Sequence, residues 1–66
     1  MKNTLRIQRA YKAITQKELA EAISVSRQTI NSIEIGKYTP SILLCLKLAS
    51  YFQKPMEELF ILEEDD

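Results

Sequence analysis

The stretch "VSRQTINSIE", residues 25–34, gathers four side chains that could do chemistry together: Arg27, Gln28, Asn31 and Ser32. Each can hydrogen-bond to the edge of a base pair. Arginine suits the two acceptors of guanine, glutamine and asparagine suit the acceptor and donor of adenine, and a threonine methyl can touch thymine. The same groups could equally cover a solvated helix face. What decides is how they are positioned. Ile30 and Ile33 interrupt them at helical spacing, so a helix docked through the isoleucines turns the polar four onto its outer arc.

Other chemistries find little support. The chain has no histidine and one cysteine, Cys45. That excludes an internal disulfide and a Cys/His metal cluster. With no Gly-rich loop and no nucleophile beside a base, an enzyme has nothing to stand on, and no cofactor or metal is expected. Cys45 falls on an apolar helix face, where a thiol behaves as a small hydrophobe. A lone thiol suits a reducing compartment, here the cytoplasm. The opening "MKNTLRIQRAYK" lacks a signal-peptide core, and the longest apolar run, "ILLCL", is far short of a membrane span.

The elements that must position the polar arc read as capped helices. A first helix covers residues 4–12, with Leu5, Arg9 and Lys12 on one side. Thr15 and Glu18 form a capping box for a second helix at 16–23, with Leu19, Ala20 and Ile23 inward. The turn is about 24–26, and Ser26 caps a third helix at about 27–35. Gly36 suits the left-handed residue that ends it. Pro40 breaks the chain, Ser41 caps a fourth helix at 42–52, and Leu44, Cys45, Leu48, Ala49 and Phe52 share its inner face. Pro55 suits the first turn of a short fifth helix, with Glu57 and Glu58 near its positive end and Leu59 and Phe60 inward. "FILEEDD" ends as a short extended segment or a frayed tail.

All 66 residues make one small domain, residues 1–66, and their net charge is zero. The average conceals a division. Residues 1–56 hold all nine lysines and arginines against three acids, a net of +6, and residues 57–66 hold the other six acids. A basic body can bind a polyanion if the acidic end points away.

Two helices joined by a short turn, the second presenting polar groups, is the helix-turn-helix plan. The segment "TQKELAEAISVSRQTINSIEIGKYTPS" resembles the motif of the Cro/CI-type family of regulators, with Gln16, Ala20, Ile30, Ile33, Glu34, Gly36 and Lys37 at the family's positions. The resemblance spans roughly residues 4–62 and centres on a motif at about 15–37. It implies an all-α, lambda-repressor-like five-helix bundle. It also implies base contacts by Arg27, Gln28 and Ser32 with Asn31 nearby, and a base or phosphate contact by Ser26. Gln16, Lys37 and Tyr38 would contact phosphates, and an Arg9–Glu34 salt bridge would tie the first helix to the third.

Three positions depart from the pattern. Ser24 stands where the turn usually has glycine, so a residue with a Cβ must adopt positive φ. Gln8 stands at a commonly apolar position beside the apolar Ile7, which leaves the register of the first helix open. Ile35 replaces a usually polar residue and is expected to be exposed.

The function implied is a sequence-specific DNA-binding regulator, a repressor, that reads a near-palindromic operator as a homodimer. Dimers of this kind place half-sites about 34 Å apart. Ile7, Leu43, Phe60, Ile61 and Leu62 are the expected interface, with residues 60–63 pairing with residues 1–4 as a short strand and the acidic tail away from DNA. Double-stranded DNA and a second copy are the expected partners, with no membrane and no small-molecule ligand. Two other readings compete. An antitoxin-like module would clasp a partner protein with its apolar end and use DNA binding for autoregulation. A purely protein-binding helical domain would show little salt-dependent DNA binding.

Overall fold

Capping chemistry sets where the helices begin. In the computed structural model, which describes residues 1–66, Thr15 accepts from the amide of Glu18 while the Glu18 carboxylate accepts from the amide of Thr15. Ser26 and Ser41 likewise accept from the amides of Thr29 and Leu44. Each bond satisfies a donor that the helix itself leaves unpaired. The elements are β1 (Lys2–Asn3), α1 (Leu5–Lys12), α2 (Gln16–Ile23), α3 (Arg27–Glu34), α4 (Ile42–Phe52), α5 (Met56–Leu59) and β2 (Phe60–Ile61). Pro55 lies just before α5 rather than in its first turn, with extended backbone.

The helix ends follow one plan. Ala13, Ser24 and Gln53 adopt left-handed backbone at φ 54°, 61° and 54°, and Gly36 does so at 82°. The following amides, of Ile14, Val25, Lys54 and Lys37, reach back to the carbonyls of Arg9, Ala20, Ala49 and Ser32. These are the bonds of the Schellman turn, which consumes orphan carbonyls and reverses the chain.

One core joins all five helices and β2. Leu5, Leu19, Ile30, Ile33, Leu48 and Leu59 are its most enclosed side chains. On α1 the open register resolves with Gln8 inward and Ile7 outward, 53% exposed. The Gln8 amide can face inward because its Nε2 donates to Thr4 Oγ1 at 3.4 Å. Ile35 is half exposed.

The terminal residues pair as a two-stranded antiparallel ribbon, Lys2 opposite Ile61 and Asn3 opposite Phe60. The expected pairing of the two ends therefore occurs within a single chain. Phe60, read both as an inward residue of the fifth helix and as part of the face between two copies, packs into its own core at 9% exposure, so the first reading holds and the second is corrected. Strand alternation explains this, because Phe60 points inward and Ile61 outward. The ribbon is also tied to the end of α3, since Asn3 Nδ2 donates to the carbonyl of Ile33 at 2.9 Å.

The acidic end stays close by. The amino group of Met1 contacts Glu63 and Asp66, both at 3.0 Å. Met1 also lines a hollow with Gly36, Tyr38 and Thr39. The tail thus begins beside the loop that follows α3, nearer to it than the charge pattern led one to expect.

Candidate nucleic-acid interface

Helix α3 presents two edges. Ile30 and Ile33, 0% and 1% exposed, hold its inner side against the core. Arg27 and Asn31, one turn apart, occupy the edge nearer α2, and both are exposed. Gln28 and Ser32 occupy the other edge, where they line a shallow hollow with Ser26, Thr29 and Tyr38. The polar arc and the apolar stripe therefore lie on opposite sides of a two-turn helix.

The hydroxyl of Ser26 accepts the amide of Thr29 and hydrogen-bonds to Thr29 Oγ1 at 2.9 Å. It fixes the helix start, and its work is already structural. After α3 the amides of Lys37 and Tyr38 both donate to the carbonyl of Ser32, at 2.9 and 3.2 Å. That folds the loop back so that the exposed Lys37 and Tyr38 follow the polar arc closely.

This geometry matches a known family. The helix-turn-helix family model covers residues 5–59 of the chain. The chain belongs to the Cro/CI-type helix-turn-helix family. It is 48% identical to an uncharacterised helix-turn-helix-type transcriptional regulator of Methanocaldococcus jannaschii over the full length of both chains. It is 44% identical to one of Bacillus subtilis, again over both full lengths. A third, from Archaeoglobus fulgidus, is 41% identical across all of this chain and 94% of the relative. DNA binding and transcription regulation are the function class that goes with this helix-turn-helix.

Beside the helix-turn-helix lies its charged anchor. Arg9 donates from Nε to Glu34 Oε2 at 2.6 Å and from Nη2 to Oε1 at 3.0 Å, a two-pronged pair. Its Nη1 donates to the carbonyl of Ile14 at 3.1 Å. The Glu34 side chain is 1% exposed. Burial opposes its charge, but the hydrogen bonds from Arg9 and Gln16 and the charges of Arg9 and Arg6 prevail and hold the carboxyl below its ordinary range. Arg9 is raised in turn, chiefly by its hydrogen bond to Glu34.

Gln16 is placed differently from the expected phosphate donor. Its Nε2 donates to Asn31 Oδ1 and to Glu34 Oε1, both at 3.1 Å. Both amide hydrogens are spent inside the protein.

Sequence reasoning missed three contributors. Arg6, 3.9 Å from Glu34 and largely exposed, adds a cation to the edge of α3. Asn3 clips β1 to the end of α3. Thr29 shares the hydroxyl pair with Ser26. No local pattern marks Asn3 or Arg6, because their partners lie about thirty residues away. Thr29 was legible in principle, as Ser26 and Thr29 stand one helical turn apart at a cap. Cys45 is buried beside the Pro40 carbonyl, and burial pushes its thiol up, away from the reactive thiolate. No three His, Cys, Asp or Glu side chains cluster as metal ligands. No helix is long and apolar enough to cross a membrane.

Proposed function

We propose that this helix-turn-helix-type transcriptional regulator is a repressor that binds a near-palindromic operator as a homodimer and works in the cytoplasm. The observation that carries the reading is the division of α3: Ile30 and Ile33 are enclosed while Arg27, Gln28 and Asn31 face solvent. Arg27, Gln28, Asn31 and Ser32 read base edges in the major groove, with Ser26 holding the N-terminus of α3 at the groove. Lys37 and Tyr38 contact phosphates. At α2 the first-turn amides of Gln16 and Lys17, which have no acceptor within the helix, take over the phosphate contact that the Gln16 side chain cannot make. The dimer leaves each copy one half-site and blocks polymerase at an overlapping promoter.

The division of labour is tested by two variants against a randomised operator library. Arg27→Ala is expected to cost about 1–3 kcal/mol and relax preference at one base pair, while Lys37→Ala weakens all sequences alike. Uniform loss in both variants would contradict it.

A second reading, an antitoxin-like module, draws on the outer face of α4. Ile42, Leu43 and Leu46 are 68%, 62% and 53% exposed there, on a helix whose other face is already packed. Tight, sequence-selective DNA binding by the protein purified alone favours the repressor. Selectivity that arises only with a partner protein favours the module.

A further inference from the structure

The side chains of Arg9, Glu34, Gln16 and Asn31 form one hydrogen-bonded chain running from the core edge to the reading face. Its polarity is set from the buried end. Glu34, ionised and gripped by the Arg9 fork, can only accept hydrogen bonds. The atom of Gln16 that meets Glu34 Oε1 at 3.1 Å must therefore be the amide nitrogen. That same nitrogen meets Asn31 at 3.1 Å, so the atom of Asn31 that faces it must be the carbonyl oxygen, Oδ1. A carboxylate at one end thus fixes which way two successive amides lie. Asn31 is exposed, and its Nδ2 has no partner within the protein.

We infer that Gln16 is a positioning residue for specificity: it holds Asn31 with its carbonyl turned toward α2, so that Asn31 meets DNA as a hydrogen-bond donor. This rests on the proposal that α3 reads the major groove. The consequence is chemical. Guanine offers N7 and O6 as acceptors and thymine offers O4, whereas cytosine offers only the N4 donor. Adenine is best matched by an amide that accepts from N6 while donating to N7. With Oδ1 turned toward Gln16, Asn31 offers the groove Nδ2 alone; on adenine that group meets one acceptor, N7, beside an unmatched N6 donor, so a keto base, guanine or thymine, is favoured over adenine and cytosine.

The test is selection from a random DNA pool with the wild type, Asn31→Ala, Gln16→Met and Gln16→Ala, each checked for folding by circular dichroism. Asn31→Ala identifies the base pair that Asn31 reads, because preference there flattens. In the wild type that position is expected to favour guanine or thymine about fivefold over cytosine. In the Gln16 variants the amide is free to turn, and adenine is expected to rise at that position relative to guanine and thymine. A purely structural loss would instead weaken all sequences equally and leave the relative preference unchanged. An unchanged preference in folded Gln16 variants would overturn the inference while leaving DNA reading by α3 intact. A wild-type preference for adenine or cytosine would overturn it as well, without needing the Gln16 variants to fold. If Asn31→Ala altered no position, Asn31 would not be a reading residue and the inference would fall. If no variant or wild type selected any sequence, the proposed function would fall with it.

Discussion

At the scale of single residues, the Arg9–Glu34 pair is asymmetric. Glu34 is sealed at 1% exposure, whereas Arg9 keeps 15% and a second bond to the Ile14 carbonyl. Losing the arginine leaves a sealed carboxylate with only the Gln16 hydrogen bond and the more distant Arg6 to offset its charge, while losing the carboxylate leaves an arginine that is partly open to water and still bonded to a carbonyl. Arg9→Met is expected to cost about 3 kcal/mol at neutral pH, the lower end of the range for breaking a buried pair, and Glu34→Gln less. The pH dependence follows from the lowered Glu34 carboxyl. Its contribution is complete above the unfolded glutamate value of about 4.3 and is lost as pH falls through the lower folded value. Denaturant melts of wild type and Glu34→Gln should therefore converge as the solution is acidified below that value. Equal losses for the two variants at every pH would contradict this. The pair was legible only through family resemblance, since nothing local links residues twenty-five positions apart. The inward turn of Gln8 was not legible, because an amide beside an isoleucine gives the opposite hydrophobic signal. Once inward, its Nε2 finds a partner in Thr4 Oγ1.

At the scale of elements, capping signals carried most of the information. Thr15, Ser26 and Ser41 announce three helix starts in sequence, and all three accept the expected amide. Helix ends were harder. Gly36 and Ser24 could be anticipated, but Ala13 and Gln53 carry no signature of the left-handed backbone they adopt. There the Schellman bonds, with Ile14 packed against the core, impose a conformation the residue itself disfavours. Ser24→Gly is accordingly expected to stabilise the domain by about 1 kcal/mol. For a domain this small that raises the thermal midpoint by about 4–8 °C. Ala22→Gly, two residues earlier and inside α2, should lower stability by about 1 kcal/mol. Thermal melts that moved both variants in the same direction would refute the strain at Ser24.

At the scale of the whole molecule, the terminal ribbon was legible as a pairing of the two ends, but Phe60 carried two readings, inward on the fifth helix and outward between copies. Period-2 alternation over a two-residue strand does not say which face is inward until the core is in place, and Phe60 goes to its own core. Of the residues expected at a face between copies, Ile7, Leu43, Ile61 and Leu62 stay open, at 53%, 62%, 43% and 79% exposure. With Leu62 the most open of them, Leu62→Asp is expected to give a monomer in sedimentation and to lower operator affinity by at least about a hundredfold, the loss that goes with one half-site in place of two. A Leu62→Asp protein that stayed dimeric with full affinity would move the interface elsewhere on the surface. The placement of charge matters at this scale too, since the acidic tail is held at Met1 beside the loop that carries Lys37 and Tyr38.

The most direct test of a dimeric, base-reading regulator is selection of bound sequences from a random DNA pool, followed by the salt dependence of binding to the winner. The account predicts a near-palindrome with half-sites about one helical turn apart and an affinity that falls steeply as salt rises. A pool that shows no enrichment, with weak binding even at low salt, would contradict it.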